Sequence, residues 1–87
     1  IDPDAQIVLY GSRARGDFHP DSDWDLLILT SYEPTLLDEQ RYRHALFELE
    51  LDYGQAFSTM VCSITSWNDR YSVTPLYNSV SQDGIYV

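Results

Sequence analysis

Three short apolar runs, separated by polar and glycine-containing stretches, mark the hydrophobic pattern along the chain. They cover residues 6–10, 24–30 and 56–64, and their length and composition are typical of buried strands. In the second run the alternate positions are both apolar, which indicates a central strand covered on both faces. We therefore predict three strands, with the second one inside a sheet.

The stretch between the second and third strands predicts the longest helix, over residues 35–53. Thr35 with Asp38 resembles a capping box, and Gly54 supplies a stop. The apolar positions of this helix fall close to one face, which we expect to pack on the sheet. Those positions are Leu36, Leu37, Ala45, Leu46, Leu49 and Tyr53.

Three shorter helices are predicted from residues that can cap a helix N-terminus. The first covers residues 12–15 and is capped by Ser12. The second covers residues 66–71 and begins with a second capping-box pattern at Ser66. The third covers residues 75–82 and is capped by Thr74. Gly16 and Gly84 end the first and the last of them. After the last helix, residues 85–87 can add a short edge strand.

The order of these elements predicts the α+β class, as a small mixed β-sheet packed with helices. The loop between the first two strands is too short for a crossover of about a dozen residues, so we expect these strands to be antiparallel neighbours. The 87 residues make a single domain, residues 1–87. The chain starts at Ile1 without a methionine, which fits a fragment that lacks an N-terminal helix.

Composition narrows the class of function. Acidic residues outnumber basic ones by 14 to 5, giving a net charge of -9, and such a chain is not expected to bind nucleic acids in general. The apolar runs are far shorter than the ~20 residues that span a bilayer, so no membrane segment is expected. The single cysteine, Cys62, cannot form an internal disulfide, and we expect a buried thiol and a cytoplasmic location.

The first part of a candidate site lies at the end of the first strand. Gly11 permits backbone angles that other residues avoid, and the amides after it form an anion site together with the Ser12 hydroxyl. Arg13 and Arg15 can reach phosphate oxygens with their forked donors. Taken alone, a Gly-Ser pair after a strand is most often only a turn.

Asp23 and Asp25 form the second part of the candidate site. They are two residues apart on a predicted strand, so both carboxylates point to the same side, where a cation would offset their repulsion. Hard oxygen ligands suit Mg²⁺ or Mn²⁺. The alternative is a solvated turn at the head of a strand.

Two other motifs, a Walker A loop and an EF-hand loop, are excluded because the required residues are absent at the required spacing. The two glycines of this stretch are spaced as in a Walker A loop, but Asp17-Phe18 follow where Lys-Ser/Thr is needed. An EF-hand loop that begins at Asp21 would place Leu26 where glycine is needed and Tyr32 where a bidentate Glu is needed.

The pattern that remains is a Gly-Ser turn followed, ten residues later, by Asp-x-Asp at the head of a buried strand. Residues 11–16, GSRARG, with residues 22–26, SDWDL, resemble the signature of the DNA polymerase β-like nucleotidyltransferase superfamily. The match is specifically to its minimal nucleotidyltransferase (MNT) domains. The resemblance covers most of the chain, because the order of elements also fits that fold.

This resemblance implies a reaction and a site. A nucleoside monophosphate would pass from an NTP, ATP by analogy, to a hydroxyl of a protein or small molecule, with release of pyrophosphate. Gly11 and Ser12 would hold the β- and γ-phosphates, and Asp23 and Asp25 would be the catalytic residues that bind two Mg²⁺ ions, with Mn²⁺ as a substitute. The resemblance also implies a toxin–antitoxin role with a HEPN-type protein partner.

The chain departs from the family pattern in one respect. Active members usually bring a third carboxylate from the strand after the long helix, but residues 56–63 contain no acid. Glu50 and Asp52 precede Gly54 and are poor substitutes. Two alternatives therefore stay open: a non-catalytic, antitoxin-like member that binds a nucleotide or a partner, and a structural domain of a larger chain.

Overall fold

A mixed sheet of four strands forms the centre of the structure, a computed structural model that describes residues 3–17 and 19–87. The strands are β1 (Gln6–Tyr10), β2 (Trp24–Thr30), β3 (Phe57–Ser63) and β4 (Ile85–Tyr86), in the spatial order β3-β2-β1-β4. β1 pairs antiparallel with β2 and β4, and β2 pairs parallel with β3. The expected α+β class, the central second strand and the antiparallel first pair are confirmed.

Helices cover both faces of this sheet. The helices in the described part of the chain are α1 (Ser12–Arg15), α2 (Leu36–Tyr53), α3 (Ile64–Asp69) and α4 (Pro75–Asp83). α2 packs on one face, and α3 and α4 pack on the other. None of these helices is long and apolar enough to cross a membrane.

The larger core lies between the sheet and the two C-terminal helices. Its buried members are Val8, Leu27, Leu29, Cys62, Trp67 and Val80. The Trp67 ring stacks on Tyr71 at 5.7 Å between centroids and lies 5.1 Å from the ring of Tyr77. Burial, with the charge of Glu33, raises the pKa of the Cys62 thiol to about 11, so this cysteine packs as a small hydrophobe, as expected.

The smaller core lies under α2, and it corrects the apolar face predicted for that helix. Tyr42 is the buried residue of α2, and Leu46 packs beside it against Ile28 and Val61. Leu37 lies about 180° around the helix from Leu46, because an α-helix turns 3.6 residues per turn. The expected face therefore does not exist as one surface, and five of its members are exposed: Leu36, Leu37, Ala45, Leu49 and Tyr53.

Helix boundaries follow the capping residues, with one shift. Thr35 and Asp38 form the predicted capping box, with Asp38 N donating to Thr35 Oγ1 at 3.2 Å and Thr35 N donating to Asp38 Oδ2 at 2.9 Å. Gly54 ends α2 in the left-handed conformation. The start predicted at Ser66 is wrong, because the Ser63 side chain at the end of β3 accepts from Ser66 N at 3.0 Å and α3 begins two residues earlier, at Ile64.

Candidate functional site

Gly11 brings the end of β1 against a carboxylate of β2. Its φ of 75° and ψ of -158° lie in a region that is essentially restricted to glycine. A Cβ at this position would overlap Oδ2 of Asp25 and lie 3.1 Å from its Cγ. Asp25 reaches this position because it is the register partner of Tyr10, the last residue of β1. The glycine turn and the acid therefore occupy one place in the structure.

Ser12 is the first residue of α1 rather than its cap. Gly11 is the N-cap, no side chain makes a capping hydrogen bond there, and Gly16 ends α1 with a φ of 84°. The predicted cap at Ser12 is therefore wrong, because the turn at Gly11 already starts the helix one residue earlier. The first amides of a helix have no acceptor within it, so the amide of Ser12 lies at a position where an anion can be bound.

Asp23 and Asp25 lie where the ends of β1, β2 and β3 meet. Asp25 is half-buried in β2, and Asp23 is exposed just before that strand. Ser58 Oγ donates a hydrogen bond to Asp23 Oδ2 at 3.1 Å. Ser58 is also the register partner of Asp25 on β3. The structure thus brings together both predicted acids and places a serine, not a third acid, beside them.

The pKa of Asp25 is raised from its ordinary value. Burial raises the pKa of Asp25, the charge of Asp23 raises it further, and Arg15 acts in the opposite direction. Burial and the charge of Asp25 also raise the pKa of Tyr10. Two repelling carboxylates are a donor set that fits a hard divalent cation such as Mg²⁺. Among the described residues no group of three or more His, Cys, Asp or Glu could hold a metal, so phosphate or water would have to supply the other ligands.

Arg13 is bound to its own chain. Its Nη2 donates to Ser22 O at 2.9 Å and to Pro20 O at 3.2 Å. A weaker bond reaches Gln55 Oε1 at 3.3 Å, and the guanidinium lies 4.5 Å from the centre of the Trp24 ring. These contacts hold the loop between α1 and β2, and with it the segment that carries the acids. The phosphate-binding role of Arg13 stays a prediction.

Arg15 is the cation that acts on the acidic pair. It forms an ion pair with Asp17 at 3.3 Å, and its charge lowers the pKa of Asp25. Arg15 is exposed, so its phosphate-binding role is compatible with the geometry and stays a prediction.

Sequence reasoning missed Ser58 and Tyr10. Ser58 becomes visible only through the register of β2 with β3, which no local pattern specifies. Tyr10 directly precedes Gly11, and that adjacency was a usable signal. Glu50 accepts a hydrogen bond from Phe57 N at 2.8 Å through Oε1 where α2 joins β3, and its exclusion as a third acid stays a prediction.

An open cleft of about 310 Å³ lies on the other face of the sheet. Its lining residues are Trp24, Tyr53, Gln55 and Phe57. Trp24 alternates with Asp25 along β2, so the two side chains project from opposite faces. The cleft is therefore separate from the acidic pair.

Comparison with known proteins gives one family. A family model described as a nucleotidyltransferase domain matches residues 1–81. MJ0141 of Methanocaldococcus jannaschii, named as a candidate protein adenylyltransferase, is 36% identical over 56 residues. That alignment covers 64% of this chain and 57% of the relative.

A solved structure shares the fold. It is a crystal structure of a toxin–antitoxin with AMP-PNP, with a TM-score of 0.62 and 22% sequence identity. The match covers 93% of this chain and 57% of the solved chain. The chain thus spans little more than half the length of both of these proteins.

We predict that Gly11→Ala damages the site and that Gly16→Ala does not. An alanine at Gly16, which is in the left-handed region, costs about 1–2 kcal/mol of stability, and one at Gly11, in a region essentially restricted to glycine, costs about 1–3 kcal/mol before any collision. Only at Gly11 would the new methyl group collide with Asp25, since nothing lies within 4 Å of a Cβ at Gly16. Denaturant unfolding should show the larger loss of unfolding free energy for Gly11→Ala. An NMR titration should show a changed pKa of the Asp25 carboxyl for Gly11→Ala and not for Gly16→Ala. Equal losses with an unchanged Asp25 titration would contradict this geometry.

We predict that Asp25→Asn stabilises the metal-free protein at neutral pH. The raised pKa means that the folded state binds the proton more tightly than the unfolded state, so ionisation of Asp25 opposes folding. The increase in unfolding free energy of Asp25→Asn should be present above the raised pKa of Asp25. It should disappear as the pH falls below the ordinary carboxyl pKa of about 3.9. Urea unfolding in EDTA at several pH values measures it, with Asp21→Asn as a control. A gain that grows at acidic pH would refute the assignment.

Proposed function

The chain belongs to the nucleotidyltransferase-domain family, and from that premise we propose that it transfers a nucleoside monophosphate from an NTP to a hydroxyl group. In this proposal Asp23 and Asp25 are the catalytic and metal-binding residues. Gly11, Ser12, Arg13 and Arg15 are the proposed phosphate-binding residues. The Asp25 carboxylate packed against the Gly11 turn is the observation that carries the proposal, because it joins a cation site to an anion site.

The chemistry follows from that juxtaposition. The acceptor oxygen forms a bond to the α-phosphorus, the bond from the α-phosphorus to the bridging oxygen breaks, and pyrophosphate leaves while the hydroxyl proton is released. Mg²⁺ held by the carboxylates would neutralise charge on the triphosphate. The family resemblance implies two such ions, for which Mn²⁺ could substitute. The chain's own part is to position the phosphates at the turn and to keep the acids fixed through Ser58 and the loop held by Arg13.

The substrates are proposed from the related proteins. The relative named as a protein adenylyltransferase supports ATP as donor and a protein hydroxyl as acceptor. The AMP-PNP in the solved toxin–antitoxin supports ATP binding, and its context supports a protein partner, for which the family resemblance suggests a HEPN type. The single buried Cys62 fits the cytoplasmic location that we propose.

A second candidate function is nucleotide or partner binding without transfer, as in an antitoxin-like member. Ser58 favours it, because a hydroxyl that donates to Asp23 occupies the strand position beside both acids. A neutral donor there offers a metal less negative charge than a carboxylate would. The two candidates predict the same binding of Mg-ATP but differ in whether any label is transferred.

The deciding experiment uses ATP labelled at the α- or, separately, at the γ-phosphate. The protein is incubated with Mg²⁺, labelled ATP and cell lysate as the source of acceptors. Transfer from the α position alone supports the transferase, and transfer from the γ position alone means a kinase and rejects it. Saturable binding of Mg-ATP without transfer supports nucleotide binding as the second candidate. Absence of binding rejects the transferase and the nucleotide-binding candidate, and favours a structural domain of a larger chain.

We predict that Asp23→Asn and Asp25→Asn each reduce α-label transfer to background while the fold survives. Each variant removes one negative charge and one pair of equivalent oxygens from the donor set, which weakens metal binding. Asp21→Asn is the matched control, because Asp21 is an exposed acid of the same loop. Circular dichroism verifies folding. Full transfer by either site variant would show that the metal assignment is wrong.

A further inference from the structure

The long helix α2 carries apolar side chains on a second face that turns away from the sheet. Leu37, Phe47 and Leu51 are 56%, 53% and 69% exposed, whereas Tyr42 and Leu46 face the core. The two faces lie on opposite sides of the helix, and both carry large hydrophobic residues. Large apolar side chains clustered on one exposed face are a mark of an interaction surface.

The apolar residues of this face lie at heptad positions, although Gln40 and His44 at the two positions between Leu37 and Phe47 are polar. Leu37, Gln40, His44, Phe47 and Leu51 recur at alternating intervals of three and four residues, and we call these five residues the outer stripe. All five are exposed. Positions with this spacing form the seam along which one helix packs against another.

Charged residues flank the outer stripe in a polarised arrangement. Arg41 and Arg43 flank its N-terminal half, and Glu48 and Glu50 flank its C-terminal half. In a heptad these are the positions beside the seam, which set the choice and direction of the partner helix. Arg41, Arg43 and Glu48 are exposed, and Glu50 is half-buried.

A second copy of α2 laid antiparallel on the outer stripe matches all of these charges. When Phe47 of one copy faces His44 of the other, Arg41 lies beside Glu48 of the second copy. In the same register Arg43 lies beside Glu50 of the second copy. Twofold symmetry repeats each contact. The contact of Arg41 with Glu48 joins exposed side chains, although Glu48 also lies 3.5 Å from His44 of its own helix. The contact of Arg43 with Glu50 is weaker, because Glu50 already accepts from Phe57 N.

A parallel pairing is a poorer match. It would place His44 against His44 and Gln40 against Gln40 of the second copy. Arg41 would then face Leu36 of the second copy, and the pair of Arg43 with Glu48 would be the one remaining match of opposite charges. Antiparallel packing also sets the helix dipoles in opposition, which is electrostatically favourable. The charges on α2 therefore favour an antiparallel over a parallel pairing of two copies.

We propose that the outer stripe binds a second copy of this chain through antiparallel pairing of the two α2 helices. An 18-residue helix is about 27 Å long, so the contact is smaller than a standard protein–protein interface, and the dimer is weak and concentration-dependent. α2 lies on the face of the sheet opposite to Leu27 and Asp25. The dimer thus leaves the candidate site open and is independent of the proposed function.

Charge reversal at one flanking pair tests the proposal. Arg41→Glu and Glu48→Arg each place like charges together twice in the homodimer, so each should raise the dimer dissociation constant about tenfold in sedimentation equilibrium. An equimolar mixture of the two variants should dimerise at least as well as the unmodified protein, because both contacts are then opposite in charge. This rescue is specific to the antiparallel register.

Matched variants distinguish a specific effect of the outer stripe on dimerisation from a general effect of changing an exposed residue. Phe47→Ser should weaken the dimer, whereas Val73→Ser, at another exposed apolar position, should not. Asp52→Arg on α2, outside the stripe and its flanks, is the control for charge. Circular dichroism verifies that each variant is folded.

Three results would overturn the proposal. The first is a protein that is monomeric at every concentration reached, which would leave the stripe to a different partner. The second is a dimer that neither Phe47→Ser nor Arg41→Glu weakens. The third is a dimer that Phe47→Ser weakens but that the mixture of charge variants does not restore, which would point to another register.

Discussion

The close approach of the Asp25 carboxylate to the backbone of Gly11 is the constraint on which the site depends. It requires a residue without a side chain at position 11, and it fixes the acid next to the first amides of α1. The register of β1 with β2 enforces this approach, because Tyr10 and Asp25 are paired. Negative and positive potential are thus placed side by side, as a metal-bound triphosphate needs.

The rest of the structure keeps that junction in place. The core residues of β2 are buried between α2 on one face and α3 with α4 on the other, and its N-terminal end is paired with both β1 and β3. Arg13 holds the connecting loop through main-chain carbonyls, and Ser58 holds Asp23 from the neighbouring strand. The residues nearest to the acids therefore act by positioning them, which is the main contribution expected of a protein in phosphoryl-type transfer.

Local sequence patterns predicted the helices and strands, but they did not predict features that depend on strand register or tertiary packing. The strands and the capping box at Thr35 depend on neighbouring residues, so the sequence alone revealed them. The outer face of α2 was misread because apolar residues lie on two sides of the helix, and only tertiary packing decides which side meets the sheet. Ser58 reaches the site only through strand register, and the bonds of Arg13 to main-chain carbonyls of its loop also depend on the folded structure.

We propose that the glycine turn and the acidic pair form one site for a metal and a nucleotide. This can be examined by paramagnetic broadening of backbone amide signals with substoichiometric Mn²⁺, with and without a non-hydrolysable ATP analogue. We expect broadening around Asp23, Asp25 and Ser58 with Mn²⁺ alone, and stronger broadening that includes Gly11 and Ser12 when the nucleotide is present. Broadening centred on the acidic residues of α2, unchanged by nucleotide, would contradict it.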